Sequence, residues 1–306
     1  MRRLTVFVLA LLLDVLLGEP PERVHPTAWT GRAAQALEAL GRRLSPRWQL
    51  LFGGAVALLL PLAAAAAGRR ALRRAALTGW AGVLAEAALL KSTFAVRALL
   101  AEALALRRLL EDGDLEGARR RARALVGRDT SRLGSAQLVS AGLESLAENS
   151  TDAFVAPWLY YVVAGTEGAL AYRAINTLDA MWGYHGEYEH LGKAAARLDD
   201  LANLLPARLS ALLLALASGR PRPALTVALA HHSRTESPNA GWTMSALAGA
   251  LGVELEKVGH YRLGEARRPL APPLLREGVG VVTRTAALGA ALVSLLLLLE
   301  ARGWRR

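Results

Sequence analysis

Residues 49–68 run for twenty positions without a charged side chain. As a helix at about 1.5 Å per residue they match the ~30 Å hydrocarbon layer of a bilayer. A soluble helix keeps a polar face, and this stretch has none. Two further stretches share the property. Residues 285–299 are uncharged between Arg284 and the arginines at 302, 305 and 306, and residues 4–13 are uncharged behind Arg2 and Arg3. The start resembles a secretory signal, yet Asp14 interrupts its apolar run and no small-residue cleavage site follows, so it reads as a retained helix stopped by Pro20 and Pro21.

These runs, with Ala and Leu dominant and no convincing alternation of β-branched residues, predict an all-α, polytopic integral membrane protein with water-exposed helical segments. One membrane-embedded helical domain over 1–306 is expected, with four or five membrane helices: 49–68 and 279–299 foremost, then 4–17, 75–91 and 201–219. Residues 92–150 read as mostly water-exposed helices. RRALRR (69–74) favours the cytoplasmic side. Pro61 is placed to kink the long span. Residues 153–172 suit either a dip into the bilayer or core packing.

A net charge of +11 suits nucleic acid, anionic lipid or small anions. The arginines lie between apolar runs rather than among aromatics, which argues against nucleic acid. The chain has no cysteine, excluding disulfides, thiolate catalysis and zinc–thiolate sites. There is no phosphate-loop motif, no GxGxxG after a strand and no HExxH. His231 and His232 are adjacent and so point in two directions, a poor zinc pair.

Polar residues stand at helical spacing within apolar sequence between Glu144 and Arg208. Glu144, Glu148 and Asp152 are four apart; Arg173, Asn176 and Asp179 are three apart; Asp199 and Asp200 precede Asn203 by four and three. Such a face is either solvated surface or a gathering place for metal and cationic ligands. Elsewhere, His25 suits a hydrogen-bonded loop histidine or a contact to phosphate or carboxylate. Lys91 suits a snorkelling lysine or a substrate contact, with Arg97 further along its helix. Residues 101–126 read as a helical hairpin broken at EDGD (111–114), with Asp114 the N-cap. In GRDTS (127–131), Arg128 suits a phosphate and Asp129 a cation, or Asp129 and Thr130 cap the next helix. Asn239 reads as a helix N-cap after Pro238, a start able to offer N–H groups to an anion.

Six blocks together resemble the cobinamide-phosphate synthase family of cobalamin biosynthesis, called CbiB or CobD: GEPPERVHP (18–26), KSTFAVRAL (91–99), ESLAENSTD (144–152), ALAYRAINTLDAMWGY (169–184), ARLDDLANLLPAR (196–208) and SPNAGW (237–242). They span nearly the whole chain, and their combination is specific where any one is weak. The resemblance implies an ATP-dependent acid–amine ligase that joins adenosylcobyric acid to (R)-1-amino-2-propanol phosphate, or to the free aminopropanol. ATP and Mg²⁺ enter with the substrates, and no permanently bound cofactor is expected. The implied setting is the cytoplasmic membrane, multi-pass, with the lipid bilayer as partner, no nucleic acid, and homo-oligomerisation left open.

Carried onto matching positions, the resemblance makes Glu148, Asp152, Asp199 and Asp200 metal ligands. It makes Glu144 or Asp179 the proton acceptor or ammonium-binding group. Asn149, Asn176 and Asn203 would orient phosphate or corrin amides. Lys91, Arg97, Arg128, Arg173 and Arg208 would bind anions, with His25 and Asp129 near substrate, and Ser237 and Asn239 would close the site. The chain departs from the family pattern at Arg173 and His185, where lysine is common, at Ala180, where serine is usual, and in lacking double glycines at AGTEG (164–168) and before Tyr261. A membrane transporter and a non-catalytic membrane sensor related to this family are the alternatives; the first predicts inverted repeats, which are not evident, and the second should lack the acidic blocks.

Overall fold

The computed structural model describes residues 1–75, 78–126, 129–183, 186 and 188–303. It is 78% helical, so the all-α expectation holds, with one small addition. The helices are α1 (Arg2–Leu17), α2 (Pro26–Gly41), α3 (Pro46–Arg74), α4 (Gly79–Lys91), α5 (Val96–Glu111), α6 (Leu115–Leu125), α7 (Ser135–Ser150), α8 (Ala156–Trp182), α9 (Lys193–Ala217), α10 (Pro221–His231), α11 (Ala240–Leu251) and α12 (Pro273–Ala301). The addition is a hairpin of β1 (Glu254–Lys257) and β2 (Tyr261–Gly264), antiparallel, pairing Leu255 with Leu263 and Lys257 with Tyr261. Both leucines are fully buried. Strands of four residues hold too few alternations to show against a helical background, which is why the sequence did not announce them.

Among the described residues, three helices are long and apolar enough to cross a membrane: α3, α9 and α12. The expected count of four or five is therefore not reached on these criteria. The stretch at 4–17 forms the 16-residue α1, and the described helix within 75–91 is the 13-residue α4. At about 1.5 Å per residue both fall short of the hydrocarbon thickness.

The chain divides into two compact units. The first comprises Met1–Ala95, Ala156–Asn203 and Leu292–Arg306. Here α1 packs on α4, and α3 packs on α8. Glycines allow the second approach: a Cβ at Gly68 would stand 2.3 Å from the Leu170 side chain, a close-packing device familiar in membrane helices. Pro61 lies buried inside α3, which runs on through it. The break falls instead in α8, at Ala164 and Gly165, where Gly165 takes φ 68°. That left-handed turn suits glycine. Residues 156–172 pack as core: Trp158, Tyr161, Ala169 and Tyr172 are buried, with Phe7 and Phe94 edge-on to Trp158.

The second unit comprises Val96–Val155 and Leu204–Ala291. The expected helical hairpin is present as α5 and α6. Asp114 caps α6 by accepting from the Gly117 N–H at 2.8 Å, and Arg121 on α6 pairs with Glu102 on α5. The helix α7 is buried over most of its length. Neither Asp129 nor Thr130 caps it. Gly134 stands at the cap, its N–H donating to the Gln137 side chain, while Thr130 donates to the Arg119 carbonyl.

Candidate functional site

The acidic block ESLAENSTD belongs to the second unit. Its first carboxylate, Glu144, is 4% exposed. Such a group needs hydrogen-bond partners to remain inside. Ser140 donates to its Oε1 at 2.7 Å, and Tyr261 from the hairpin donates to its Oε2 at 2.8 Å. The Ser140 hydroxyl also accepts from the Glu256 N–H at 2.8 Å. The unexpected hairpin thus exists in part to deliver Tyr261 to Glu144. Four residues on, Glu148 is exposed, and Asn149 folds back onto Ser145. The helix then widens into a π turn at Thr151–Val155, which carries the half-buried Asp152. Such turns recur at functional sites because they re-aim side chains. The face is buried at Glu144 and open at Glu148, so it is neither plain solvated surface nor plain core.

The SPNAGW block opens α11 in the same unit. Asn239 stands at the N-cap position of α11, as expected, but its side chain makes no capping bond; the Ser237 hydroxyl instead accepts from the Asn239 and Ala240 N–H groups at 3.2 and 3.4 Å. This releases the Asn239 side chain to accept from Arg208. The Arg208 guanidinium also lies 5.1 Å from the Trp242 ring centroid. Trp242 stacks with His232 at 4.0 Å between centroids and 15° between planes. Gly241 makes the approach feasible, since a Cβ there would fall 2.0 Å from the His232 carbonyl oxygen. The two adjacent histidines do diverge. His231 Nδ1 accepts from the Gly264 N–H at 2.9 Å, and burial followed by the nearby Arg234 charge lowers its pKa, favouring the neutral ring. Asp129 is exposed and accepts from the N–H and hydroxyl of Ser131, bonds that hold its carboxyl below the ordinary range.

In the first unit, the GEPPERVHP and KSTF blocks join. Lys91, 4% exposed, places Nζ 3.1 Å from Asp14, 2.6 Å from Glu19 and 3.0 Å from the Phe94 carbonyl. Of the three donors of an ammonium, two are spent on Glu19 and the Phe94 carbonyl, and Asp14 adds an ion-pair contact. Lys91 therefore reads as the partner of two carboxylates rather than a free anion hook. His25 is the N-cap of α2: its Nδ1 accepts from the Thr27 N–H at 3.2 Å, leaving Nε2 to donate to Glu19 at 2.9 Å. Asp14 and Glu19 were not anticipated as site residues. The signal was available: a lone carboxylate inside an apolar helix requires a partner.

Also in the first unit, the Asp199 Oδ2 accepts from the Asn203 amide at 2.9 Å, and the Asn203 Oδ1 accepts from the Tyr172 hydroxyl at 2.9 Å. Tyr160 stacks on Tyr172. Asp200 sits 3.7 Å from Arg197. Arg173 donates to Asn176 at 3.1 Å, and Asp179 is half-buried beside Gly183. In the second unit, Arg97 is exposed in the first turn of α5. Arg128 and His185 lie outside the described residues.

Among the described residues, no group of three or more His, Asp or Glu side chains could hold a metal ion. Mg²⁺ does not require one: it takes one or two carboxylates and completes its shell with phosphate oxygens and water. The exposed Glu148 and half-buried Asp152 are oxygen donors of that kind.

A family model described as CobD/Cbib protein matches residues 7–288. Curated relatives match most of the chain. A cobalamin biosynthesis protein CobD of Dehalococcoides mccartyi is 42% identical over 89% of this chain and 90% of its own. One from Klebsiella pneumoniae is 36% identical over 98% of each. A probable cobalamin biosynthesis protein CobD of Methanothrix thermoacetophila is 38% identical over 96% of this chain and 97% of its own. No solved structure matches. By its family model and relatives the chain therefore belongs to the CobD/Cbib protein family.

Proposed function

We propose that this protein makes adenosylcobinamide phosphate by joining the free propionate carboxyl of adenosylcobyric acid to the amine of (R)-1-amino-2-propanol phosphate, with ATP consumed. Family membership supports the reading. The observation that carries it further is Glu144, a buried carboxylate held by two hydroxyls at the head of an acidic block that opens outward to Glu148 and Asp152.

A carboxylate is a poor electrophile and must be activated. Its oxygen attacks the γ-phosphorus of ATP, ADP leaves, and the acyl phosphate remains. The free amine then attacks the acyl carbon, inorganic phosphate departs, and the nitrogen gives up a proton. Glu144 is the residue proposed to hold the ammonium form and accept that proton, with Asp179 the alternative in the first unit. Mg²⁺, when bound, neutralises charge on the transferring phosphoryl group. Glu148 and Asp152 in the second unit are the oxygen ligands proposed for it, and Asp199 and Asp200 in the first. Arg208, oriented by Asn239 and Trp242, is proposed to bind phosphate oxygens in a planar fork. Arg173 and Asn176 are assigned the same class of contact. Helices long and apolar enough to cross a membrane support a reading in which the reaction runs at the cytoplasmic membrane, where ATP is available.

The test is amide formation by purified protein in detergent, with ATP, cobyric acid and aminopropanol phosphate, across a Mg²⁺ titration. Wild-type protein should form the amide with stoichiometric ADP. Asp152→Asn should lower the rate on the order of 10²–10³, by analogy with the loss of one oxyanion donor, and alter the Mg²⁺ dependence. Normal turnover with unchanged Mg²⁺ dependence would remove Asp152 from the metal role.

A further inference from the structure

A second basic site lies in the second unit, away from the polar blocks just described. It is a cleft of about 520 Å³ lined by Ser218, Pro273, Gly280 and four arginines: Arg220, Arg268, Arg276 and Arg284. The one carboxylate on its walls, Glu277, is committed to Arg268 through two bonds of 2.8 and 2.7 Å. Four guanidinium groups against one carboxylate leave the lining three positive charges in excess. Arg284 is aimed and held: its Nε donates to the Ala217 carbonyl at 2.7 Å, and its Nη1 lies over Gly280, 3.5 Å from where a Cβ would stand. With one of five donors spent, its outer nitrogens remain for a ligand. Arg220 and Arg276 form no ion pair among the described residues.

The position of the cleft decides what these arginines face. Two of the three helices able to cross a membrane meet the cleft at an end. The helix α9 terminates at Ala217, whose carbonyl Arg284 holds, and α12 begins at Pro273. The uncharged run of α12 starts at Thr285, immediately after Arg284. Apolar sequence thus begins where the arginines stop. That is the depth of lipid headgroups, where surface arginines attract anionic lipid at about 1 kcal/mol each. Arg276 and Arg284 are eight residues apart on α12, close to one face, with Gly280 between them leaving the cleft open.

We propose that this cleft binds the phosphate of an anionic phospholipid headgroup. The planar arginine fork matches phosphate oxygens. The neighbouring spans supply the apolar surface on which the acyl chains lie, so lipid is favoured over a free phosphate of the same chemistry.

The experiment uses full-length protein in nanodiscs and in detergent. Native mass spectrometry after mild delipidation reads retained phosphatidylglycerol against phosphatidylcholine. Wild-type protein should retain phosphatidylglycerol selectively. The double variant Arg220→Gln, Arg276→Gln should lose on the order of thirtyfold in apparent affinity, as expected for two arginines at about 1 kcal/mol each. Removing the same charge at Arg108 and Arg120, which do not line the cleft, should change little. Amide formation in detergent should be unaffected by either pair, so failure here is separable from failure of the proposed enzymatic reading. Equal retention by wild type and the cleft variant overturns the proposal. Inorganic phosphate or aminopropanol phosphate displacing the lipid at micromolar concentration would assign the cleft to a soluble phosphate and also overturn it.

Discussion

Lys91 Nζ stands 3.1 Å from the Asp14 carboxylate, with both side chains 5% exposed or less. Asp14 interrupts the apolar run of α1, and Lys91 ends α4, so this pair fastens the two helices from within, as the Arg2–Glu86 pair at 3.1 Å does nearer the surface. Glu19 closes the set from the loop between α1 and α2. Removing one member of a buried ion pair leaves the other uncompensated, at about 3–5 kcal/mol.

Lys91→Met is therefore expected to lower the thermal midpoint in detergent sharply, because it strands Asp14 and Glu19. Thermal melting followed by circular dichroism measures it. An unchanged midpoint with lost turnover would instead mark Lys91 as a substrate contact.

Glu19 should couple this cluster to pH. Burial pushes its carboxyl up, but hydrogen bonds and charge from His25 and Lys91 outweigh that and hold it below the ordinary 4.5. A carboxyl depressed in the folded state contributes stability that is present above its unfolded value and lost as pH falls through the folded one. Melting temperatures taken from pH 6 downward should fall below about pH 4.5, and Glu19→Gln should flatten that part of the profile. A parallel decline in the variant would show that other groups govern acid sensitivity.

Tyr261→Phe removes one donor from the buried Glu144. A hydrogen bond to a charged group is worth about 1.5–3 kcal/mol, and that loss should appear in stability. Glu144→Gln retains shape but abolishes the negative charge, so it should lower amide formation by about 10²-fold or more, within the general-base range. The comparison is of turnover with melting temperature for both variants. Full activity in Glu144→Gln would leave Glu144 a structural carboxylate.

Gly241→Ala should be poorly tolerated. Its Cβ would meet backbone oxygen, which cannot swing aside as a side chain can. Overpacking of this kind costs about 1–3 kcal/mol. The Trp242–His232 stack should loosen with it, read by tryptophan fluorescence. A variant with wild-type melting and emission would show that the helix start can shift without cost.

Membrane extraction tests the reading of α3, α9 and α12. After carbonate treatment the protein should stay with the membrane pellet. Release into the supernatant would mean that these apolar helices pack against protein instead.

Much was determined by residue type and order alone. A run of twenty uncharged residues can only be a membrane span or a wholly buried helix. The order of polar blocks carried the family. Asp114 could be read as a cap because capping is local, settled within one turn of chain. Tertiary structure decided what depends on residues distant in sequence. Nothing at Lys91 announces that Asp14, far up the chain, takes its charge. Asn239 holds the N-cap position it was read into, but Arg208 claims its side chain and the Ser237 hydroxyl takes the N–H groups instead. Tyr261 reaches Glu144 only because a hairpin of four-residue strands, too short for periodicity to reveal, folds back onto α7. Hydrophobic patterning dictates which face of a helix is buried. It cannot dictate which partner satisfies a polar group on that face, because the partner is chosen by long-range packing.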